Sequence, residues 1–403
     1  MNKKSTLFLL SSLGAFSLLS GCTRKTIEIA VVTDVGSLND GGFNQGTYEG
    51  VKQYAEANGK KYNYFMPAGQ NNATDADREA AMIQAIESGA KIIVAPGYLQ
   101  AKAMAKCASL HRDVKFIFMD GMILKDEKGN PLNNVTALNY REEEAGFLAG
   151  YAVTKDTKLL KDKKLGGVFG GGGSNRACNA FAYGYAQGIN QAMLDLESEK
   201  AIDNSKKAEL RLSYLYGDQF SASNELETHV SSWYGSGTEI VFACGGSMTF
   251  SVKSAVDKAD KEKMMIGVDV DQSSLSPRIV TSAMKNLAIS IKDTLALCYA
   301  NQWEEKLAGK IYTLSAKENG VGLPTDTYEK DGKKIDPWRF KGFSKDEYKT
   351  LFNRIKGEAG DKNIVVESVD SSSDCNKKEF WENANKKWNK IVITLDGGND
   401  SKK

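Results

Sequence analysis

The feature that most constrains the fold of this chain is an alternation of short apolar segments with longer segments whose apolar residues recur at helical spacing. The alternation begins with TIEIAVVTD and NQGTYEGVKQYAEANG, and it restarts at KLGGVFG with NRACNAFAYGYAQGINQAML. Strands that alternate with helices form βαβ units and a largely parallel sheet. Two consecutive sets of such units predict an α/β protein with two doubly wound lobes.

The N-terminus carries a signal for export. A basic start, MNKK, precedes the apolar run STLFLLSSLGAFSLLS, which is too short for a comfortable membrane span. The run ends in LSGC, which resembles a bacterial lipobox and predicts removal of residues 1–21 and lipidation of Cys22, with palmitate among the acyl groups. The alternative is an ordinary signal peptide with an incidental cysteine. The lipobox predicts a lipid-anchored protein on the extracytoplasmic face of the cell membrane.

Charge and residue usage argue against several classes of protein. The chain has 53 basic and 51 acidic residues, so loss of Lys3 and Lys4 with residues 1–21 leaves a formal charge of zero, which does not suit a nucleic-acid binder. The five cysteines beyond Cys22 are scattered and lack CxxC spacing, so we expect buried thiols and no metal or disulfide framework. The chain has two lone histidines and no catalytic motif, so we expect that the protein is not an enzyme and that it uses no cofactor.

Carboxylates and glycines follow the predicted strands, at the edge where open α/β sheets bind ligands. Three strands end in aspartate, at Asp34, Asp120 and Asp269, and glycines follow two others, at 170–173 and 245–246. A carboxylate accepts several hydrogen bonds and suits hydroxyl or ring N–H groups. These aspartates could instead be helix caps or turn residues.

Two aromatic residues lie in loops of similar position in the two halves. Phe43 lies in the first βα loop, within GGFNQG, and Phe220 follows the second strand of the second half, within GDQFSAS. In a two-lobed protein such loops face each other across the cleft. Two aromatic rings could then enclose a flat ligand, each stacking contact contributing about 1–3 kcal/mol. The alternative is that each phenylalanine belongs to a core.

Four segments resemble the basic membrane protein family of bacterial lipoproteins, often called purine nucleoside receptor-like. They are DVGSLNDGGFNQGTYEGV, NVTALNYREEEAGFLAGYAV, GVDVDQ and TSAMKN, and the likeness runs in order from about Ile27 to Leu323. The resemblance implies a type I periplasmic-binding-protein fold, with two α/β lobes joined by a three-crossover hinge that closes on a ligand. It also implies a monomer that binds purine nucleosides and delivers them to the permease of an ABC importer.

The resemblance further implies which residues contact the nucleoside. Phe43 and Phe220 would sandwich the base. Asn44 and Asp120, with Asp34 nearby, would read the edge of the base. Asp269, Gly246 and Lys285 would hold the ribose. Whether Asp269 or Asp271 faces the cleft stays open, because residues two apart on a strand share a face.

The same resemblance suggests lobe boundaries. The first lobe is predicted to comprise 22–140 and 278–303, and the second 141–277 and 304–395, with a polar insertion at about 325–362 and a tail at 396–403. Two alternatives keep the fold: the ligand is a sugar or a pyrimidine nucleoside, or the protein is a surface antigen or adhesin.

Overall fold

The computed structural model describes residues 26–214, 220–370 and 373–397. The predicted signal peptide and Cys22 lie outside these residues. The strands are β1 Ile29–Val32, β2 Tyr62–Phe65, β3 Ile92–Pro96, β4 Lys115–Met119, β5 Val135–Tyr140, β6 Lys164–Phe169, β7 Ala208–Ser213, β8 Ile240–Cys244, β9 Met264–Asp269, β10 Ile279–Lys285, β11 Ile311–Leu314, β12 Val321–Gly322, β13 Tyr328–Lys330, β14 Lys333–Ile335 and β15 Ile391–Leu395. The α-helices are α1 Phe43–Ala57, α2 Asp75–Glu87, α3 Ala101–Leu110, α4 Glu142–Lys155, α5 Arg176–Ser198, α6 Asn224–Gly235, α7 Met248–Lys258, α8 Leu287–Tyr299, α9 Lys345–Lys356 and α10 Lys378–Lys387.

The strands form one large sheet in each lobe. Within the described ranges, the strand order is β11-β5-β4-β3-β1-β2 in the first sheet and β12-β10-β9-β8-β6-β7-β15 in the second. Strands β1 to β5 and strands β6 to β10 repeat the order 2-1-3-4-5, in which the winding direction reverses between the first and third strands. The prediction of two doubly wound α/β lobes is therefore confirmed.

The chain passes between the lobes three times. It leaves the first sheet after β5, returns to it for β11 and then crosses again to place β12 beside β10 in the second sheet. Three crossovers are the hinge predicted for a type I periplasmic-binding-protein fold, and this prediction is also confirmed.

The predicted lobe boundaries need correction at the second and third crossovers. Strand β10, which was predicted to lie in the first lobe with 278–303, pairs in parallel with β9 of the second sheet. Strand β11, predicted to lie in the second lobe with 304–395, pairs in parallel with β5 of the first. Within the segment 278–303, it is helix α8 that packs on the first lobe, against α1. The order of elements along a chain does not reveal which sheet a strand joins, because a helix can return the chain to either lobe.

Helix α4 starts at the first crossover and is fixed to the second lobe by close packing against α5. The packing requires glycine: a Cβ at Gly184 would lie 1.9 Å from the carbonyl oxygen of Glu143, and one at Gly188 would lie 2.1 Å from that of Phe147. Because the helices touch along their backbones, the N-terminus of α4 is held rigidly between the two lobes. Helix α4 therefore gives residues at its start, including Glu142, a fixed position next to the cleft.

The C-terminal part of the chain completes the second lobe. The segment predicted to be a polar insertion contains the antiparallel hairpin β13–β14 and helix α9. After it, α10 and β15 add an edge strand to the second sheet, where β15 runs parallel to β7. The five cysteines of the described residues are buried, as predicted. In the part of the chain that the structure describes, no helix is both long and apolar enough to cross a membrane.

Candidate functional site

A cavity lies between the lobes, where the carboxyl ends of the two sheets face each other. Residues at or just after the ends of β1, β3 and β4 line it from the first lobe. Residues after β6 and β8 and at the ends of β9 and β10 line it from the second. Both points at which the winding reverses open onto it, which is where open α/β sheets bind ligands. The eight residues predicted to contact a ligand all line this cavity: Asp34, Phe43, Asn44, Asp120, Phe220, Gly246, Asp269 and Lys285.

Phe43 is the first residue of α1, and the loop before it is shaped by Asp40. The Asp40 carboxylate accepts hydrogen bonds from the backbone N–H groups of Gly42 (2.8 Å) and Asn44 (2.9 Å). This satisfies donors that a helix N-terminus otherwise leaves unpaired. On the other side, Gly41 adopts a φ of +69° and packs close to the ring of Phe250 in the second lobe. The glycines thus let the loop approach the opposite lobe while Asp40 fixes the start of the helix.

Asn44 holds this same loop. Its Oδ1 accepts from the N–H of Asp34 at 2.8 Å, and its Nδ2 donates to the carbonyl oxygens of Val35 (2.9 Å) and Ser37 (3.4 Å). Both amide hydrogens are therefore used within the loop, and the side chain has one remaining lone pair for another partner. Asn44 therefore stabilises the loop. The sequence analysis predicted only that Asn44 would contact the edge of the base, and did not predict this structural role.

Asp34 carries a buried oxygen without a partner. Its Oδ1 makes no hydrogen bond to any residue that the structure describes. Burial raises the pKa of this carboxyl to about 7, although the guanidinium of Arg78 acts to lower it. Gly97 makes room for it, because a Cβ there would lie 1.9 Å from Asp34 Oδ2. A carboxyl with a pKa raised to this range can accept hydrogen bonds from a ligand when it is ionised and can donate one when it is protonated.

Lys285 joins carboxylates from both lobes and the hinge. Its Nζ lies 2.6 Å from Asp120 Oδ2 of the first lobe, 3.7 Å from Asp269 Oδ1 of the second and 3.3 Å from Oε1 of Glu142 at the start of α4. The ammonium also stands over the Phe43 ring, 4.8 Å from its centre. Burial acts to lower the pKa of Lys285, but the three carboxylates outweigh it and raise that pKa well above its ordinary value. Lys285 is thus a fixed cation.

The carboxylates around Lys285 outnumber it. Burial raises the pKa of Asp269 to about 6 and that of Glu142 to about 7, in each case against the attraction of Lys285. Asp120 Oδ1 is buried without a hydrogen-bond partner among the described residues. A site with free acceptor oxygens and surplus negative charge suits a ligand that presents N–H and O–H donors, and it disfavours an anionic one.

Three cavity residues have backbone conformations that side chains rarely adopt. Asp120, Asp269 and Phe220 have φ values of +51°, +65° and +56°. Aspartate tolerates this left-handed region better than most residues, but for a bulky side chain it is uncommon. Gly246 leaves room for Phe220, because a Cβ on Gly246 would lie 3.0 Å from the carbonyl oxygen of Phe220, and the Ser247 hydroxyl donates to that same oxygen at 3.3 Å. Residues held in such conformations concentrate at functional sites.

The structure also decides between two aspartates and adds residues that the sequence reasoning missed. Asp269 lines the cavity, whereas Asp271 turns away and accepts from the N–H of Ser273 at 2.9 Å. Glu142 was not predicted, although it lies two residues beyond the end of β5. The reasoning that residues just after strand ends face the ligand could have identified it. Glu142 reaches the site through Lys285 and does not itself line the cavity, whereas Tyr98 and Asn175 do line it. No group of three or more metal-ligating side chains capable of holding an ion occurs among the described residues.

Comparison with known proteins agrees with this architecture. Residues 27–345 match the family model described as "Bmp: ABC transporter substrate-binding protein PnrA-like". The chain is 27% identical to the "ABC transporter nucleoside-binding protein BmpA" of Lactococcus lactis over 76% of this chain and 84% of that protein. It is 27% identical to Basic membrane protein D of Borreliella burgdorferi over 73% of this chain and 78% of that protein.

Solved structures show the same fold at lower identity. An ABC transporter solute-binding protein of Aeropyrum pernix K1 superimposes with a TM-score of 0.63 at 20% identity, over 82% of this chain and 91% of that one. A solute-binding protein of Conexibacter woesei gives a TM-score of 0.56 at 18% identity, over 81% and 95%. With the family model matched across most of its length, the chain belongs to the Bmp family of PnrA-like ABC transporter substrate-binding proteins.

Proposed function

We propose that this protein binds purine nucleosides in the cavity between its lobes and presents them to the permease of an ABC importer. The observation that carries the proposal is the pair Phe43 and Phe220, which line one cavity from opposite lobes. Two aromatic faces suit a flat, weakly polar ring, and each stacked face contributes about 1–3 kcal/mol. The Lactococcus lactis relative is named a nucleoside-binding protein, which favours the same class of ligand.

The polar groups around these rings match a purine nucleoside. The unpaired oxygens of Asp34 and Asp120 need donors, and a purine base offers ring and exocyclic N–H groups along one edge. Asp269, Lys285 and the backbone at Gly246 supply acceptors and donors for the two ribose hydroxyls, since a carboxylate can grip a vicinal diol. We assign Asp34 and Asp120 to the base and the other three to the ribose.

We further propose that the mature protein begins at a lipidated Cys22, works as a monomer and faces the outside of the cell membrane. The LSGC segment supports the anchor, and the absence of a surplus of basic residues fits a protein whose partners are a small molecule and a permease. Metabolic labelling with a palmitate analogue tests this. We expect incorporation into the full chain and none into Cys22→Ala, and an equal signal in both would contradict it.

The ionisation of Asp34 should set the preference among purines. An ionised carboxylate accepts two N–H donors, as guanine presents them, whereas a protonated one donates one hydrogen bond and accepts one, as adenine requires. Because the pKa of Asp34 is about 7, raising the pH from 6 to 8 converts it to the ionised form. We expect the ratio of guanosine to adenosine affinity to rise by at least about 10-fold and at most about 100-fold over this range, since the ratio of ionised to protonated carboxyl changes tenfold for each pH unit.

Calorimetric titration of both nucleosides at pH 6, 7 and 8 measures this ratio. The ribose is common to the two ligands, so titration of Asp269 and Glu142 affects both affinities and cancels in the ratio. Asp34→Asn should make the ratio independent of pH. A ratio that stays within about twofold in the unmodified protein would remove Asp34 from the base edge. Absence of binding for guanosine, inosine and adenosine alike would contradict the proposed function itself.

A further inference from the structure

The described residues that follow the family-matched range, 346–370 and 373–397, form a C-terminal extension, and part of it lies behind one wall of the cavity. The family model ends at residue 345. After it, β15 lengthens the second sheet by pairing with β7, from Ile391 beside Ala208 to Leu395 beside Leu212. The N–H of Asp396 continues the ladder by donating to the carbonyl oxygen of Leu212 at 2.8 Å. The extension is therefore built into the second lobe rather than appended to it.

One part of the extension contacts the glycine loop 170–173. The N–H of Cys375 donates to the carbonyl oxygen of Gly173 at 2.9 Å. The side-chain amide of Asn179 bridges the two segments, because its Nδ2 donates to the carbonyl oxygens of Gly173 (2.8 Å) and Ser373 (3.0 Å). A Cβ at Gly173 would lie 2.4 Å from the backbone nitrogen of Asn376. The loop and the extension are thus in direct backbone contact.

The other side of the same loop contacts Phe220. A Cβ on Gly171 would lie 3.3 Å from Cζ of Phe220 and 2.3 Å from Cβ of Asn175, and both of these residues line the cavity. Asn175 also caps α5, because its Oδ1 accepts from the N–H of Cys178 at 2.8 Å. Glycines 171 and 173 have positive φ, which glycine adopts without strain, but glycine also loses the most conformational freedom on folding, so contacts with neighbouring segments help to keep the loop in one conformation.

The extension is itself anchored where it meets the loop. Trp381 is 1% exposed, and its Nε1 donates to the carbonyl oxygen of Cys375 at 2.7 Å. Cys375 is fully buried. A continuous series of contacts therefore runs from Trp381 through Cys375 and the glycine loop to the ring of Phe220. None of the extension residues in this series lines the cavity.

We propose that the C-terminal extension is a positioning element of the binding site: it holds the glycine loop 170–173 against Phe220 and Asn175 and so sets the shape of the second-lobe wall. Its residues act through the loop and do not touch the ligand. The proposal gives a role to a segment outside the family-matched range whose buried residues, among them Cys375 and Trp381, join the hydrophobic core. The proposal rests on the proposed function only in the second of the two tests below, where guanosine is used as the ligand.

The first test needs no ligand and uses Trp381→Phe in the full chain. This change replaces the indole by a smaller aromatic ring and removes the N–H donated to Cys375. The matched control is Trp303→Phe, which removes the N–H that buried Trp303 donates to the carbonyl oxygen of Asn133, at 2.8 Å, in the first lobe. We expect hydrogen exchange of the amides of 170–178 to accelerate in Trp381→Phe and to remain at the wild-type rate in Trp303→Phe.

The second test measures guanosine binding by the same proteins. Loss of one buried hydrogen bond in a positioning element should raise the Kd about 3- to 10-fold in Trp381→Phe and less than about twofold in Trp303→Phe. If Trp381→Phe does not fold, Asn179→Ala removes the bridge between Gly173 and Ser373 and should give the same two results. Equal exchange of 170–178 in all proteins, or equal acceleration in both tryptophan variants, would overturn the proposal. Failure of the wild type to bind guanosine would contradict the proposed function, and the exchange comparison would still decide the present inference.

Discussion

Phe43→Ala should weaken purine nucleoside binding more than any other single truncation of the cavity wall. Removal of the ring deletes one of the two stacking faces, worth about 1–3 kcal/mol, which corresponds to a Kd increase of about 5- to 150-fold. The ring also covers Lys285, whose Nζ lies 4.8 Å from its centre, so the ammonium would be more hydrated in the variant. Calorimetric titration with guanosine measures the loss directly.

Two further variants separate stacking from general destabilisation. Phe43→Leu keeps apolar cover over Lys285 but offers no π face, so it should lose most of the same affinity. Phe352→Ala truncates a partly buried phenylalanine that packs against the core and does not line the cavity. It should lower thermal stability and leave the Kd for guanosine within about twofold. Unchanged affinity in Phe43→Ala would show that this ring does not contact the ligand.

Lys285→Met should have the largest effect on stability. The change removes a cation that lies within 4 Å of Asp120, Glu142 and Asp269 together. Among the described residues, Asp120 and Asp269 then have no ion-pair partner, whereas Glu142 keeps Arg176, whose Nη1 lies 3.1 Å from Glu142 Oε2. Breaking a buried ion pair from one side typically costs about 3–5 kcal/mol. The measurement is urea unfolding at pH 5 and at pH 8, together with guanosine titration under conditions where the variant is folded.

The pH dependence of this loss follows from the pKa values. Glu142 and Asp269 already have pKa values of about 7 and about 6, above those of an unfolded chain, and the loss of Lys285 raises them further. The folded state then binds more protons than the unfolded state, so stability falls as the pH rises from about 4 through the folded pKa values. The deficit of Lys285→Met relative to the wild type should therefore be larger at pH 8 than at pH 5.

Lys163→Met is the matched control for this experiment. Lys163 is also buried, but its Nζ donates to the carbonyl oxygens of Thr154 (2.7 Å) and Asp156 (3.5 Å). Burial lowers the pKa of Lys163 to about 8 although Glu239 and Asp156 act to raise it, so the deficit of Lys163→Met should grow far less from pH 5 to pH 8 than that of Lys285→Met. A deficit for Lys285→Met that is equal at the two pH values, or larger at pH 5, would contradict the charge arrangement described for the cleft.

The general architecture of the site was predictable because it depends on local patterns. Alternating strands and helices identify the two lobes, and strand ends identify the edge that binds ligands. Asp34, Asp120 and Asp269 follow this rule and line one cavity. Phe43 and Phe220 were found because an aromatic residue between turn formers lacks an evident place in a core.

What could not be predicted depends on contacts between distant segments. The use of both Asn44 amide hydrogens follows from how the first loop folds back on itself, which its composition does not specify. The assignment of β10 and β11 to their sheets depends on which lobe each helix packs against. The contact of 373–376 with the glycine loop joins residues about 200 positions apart, and no local periodicity records such a contact.

The central claim is that the cavity between the lobes holds a purine nucleoside. The most direct test is mass spectrometry of the small molecules released when the freshly purified protein is denatured, because a closed cleft can retain its ligand. We predict a purine nucleoside, bound at no more than one molecule per chain and not retained by Phe43→Ala. Release of a sugar or a pyrimidine nucleoside, or an empty protein that gives no heat with guanosine, inosine or adenosine, would contradict the account.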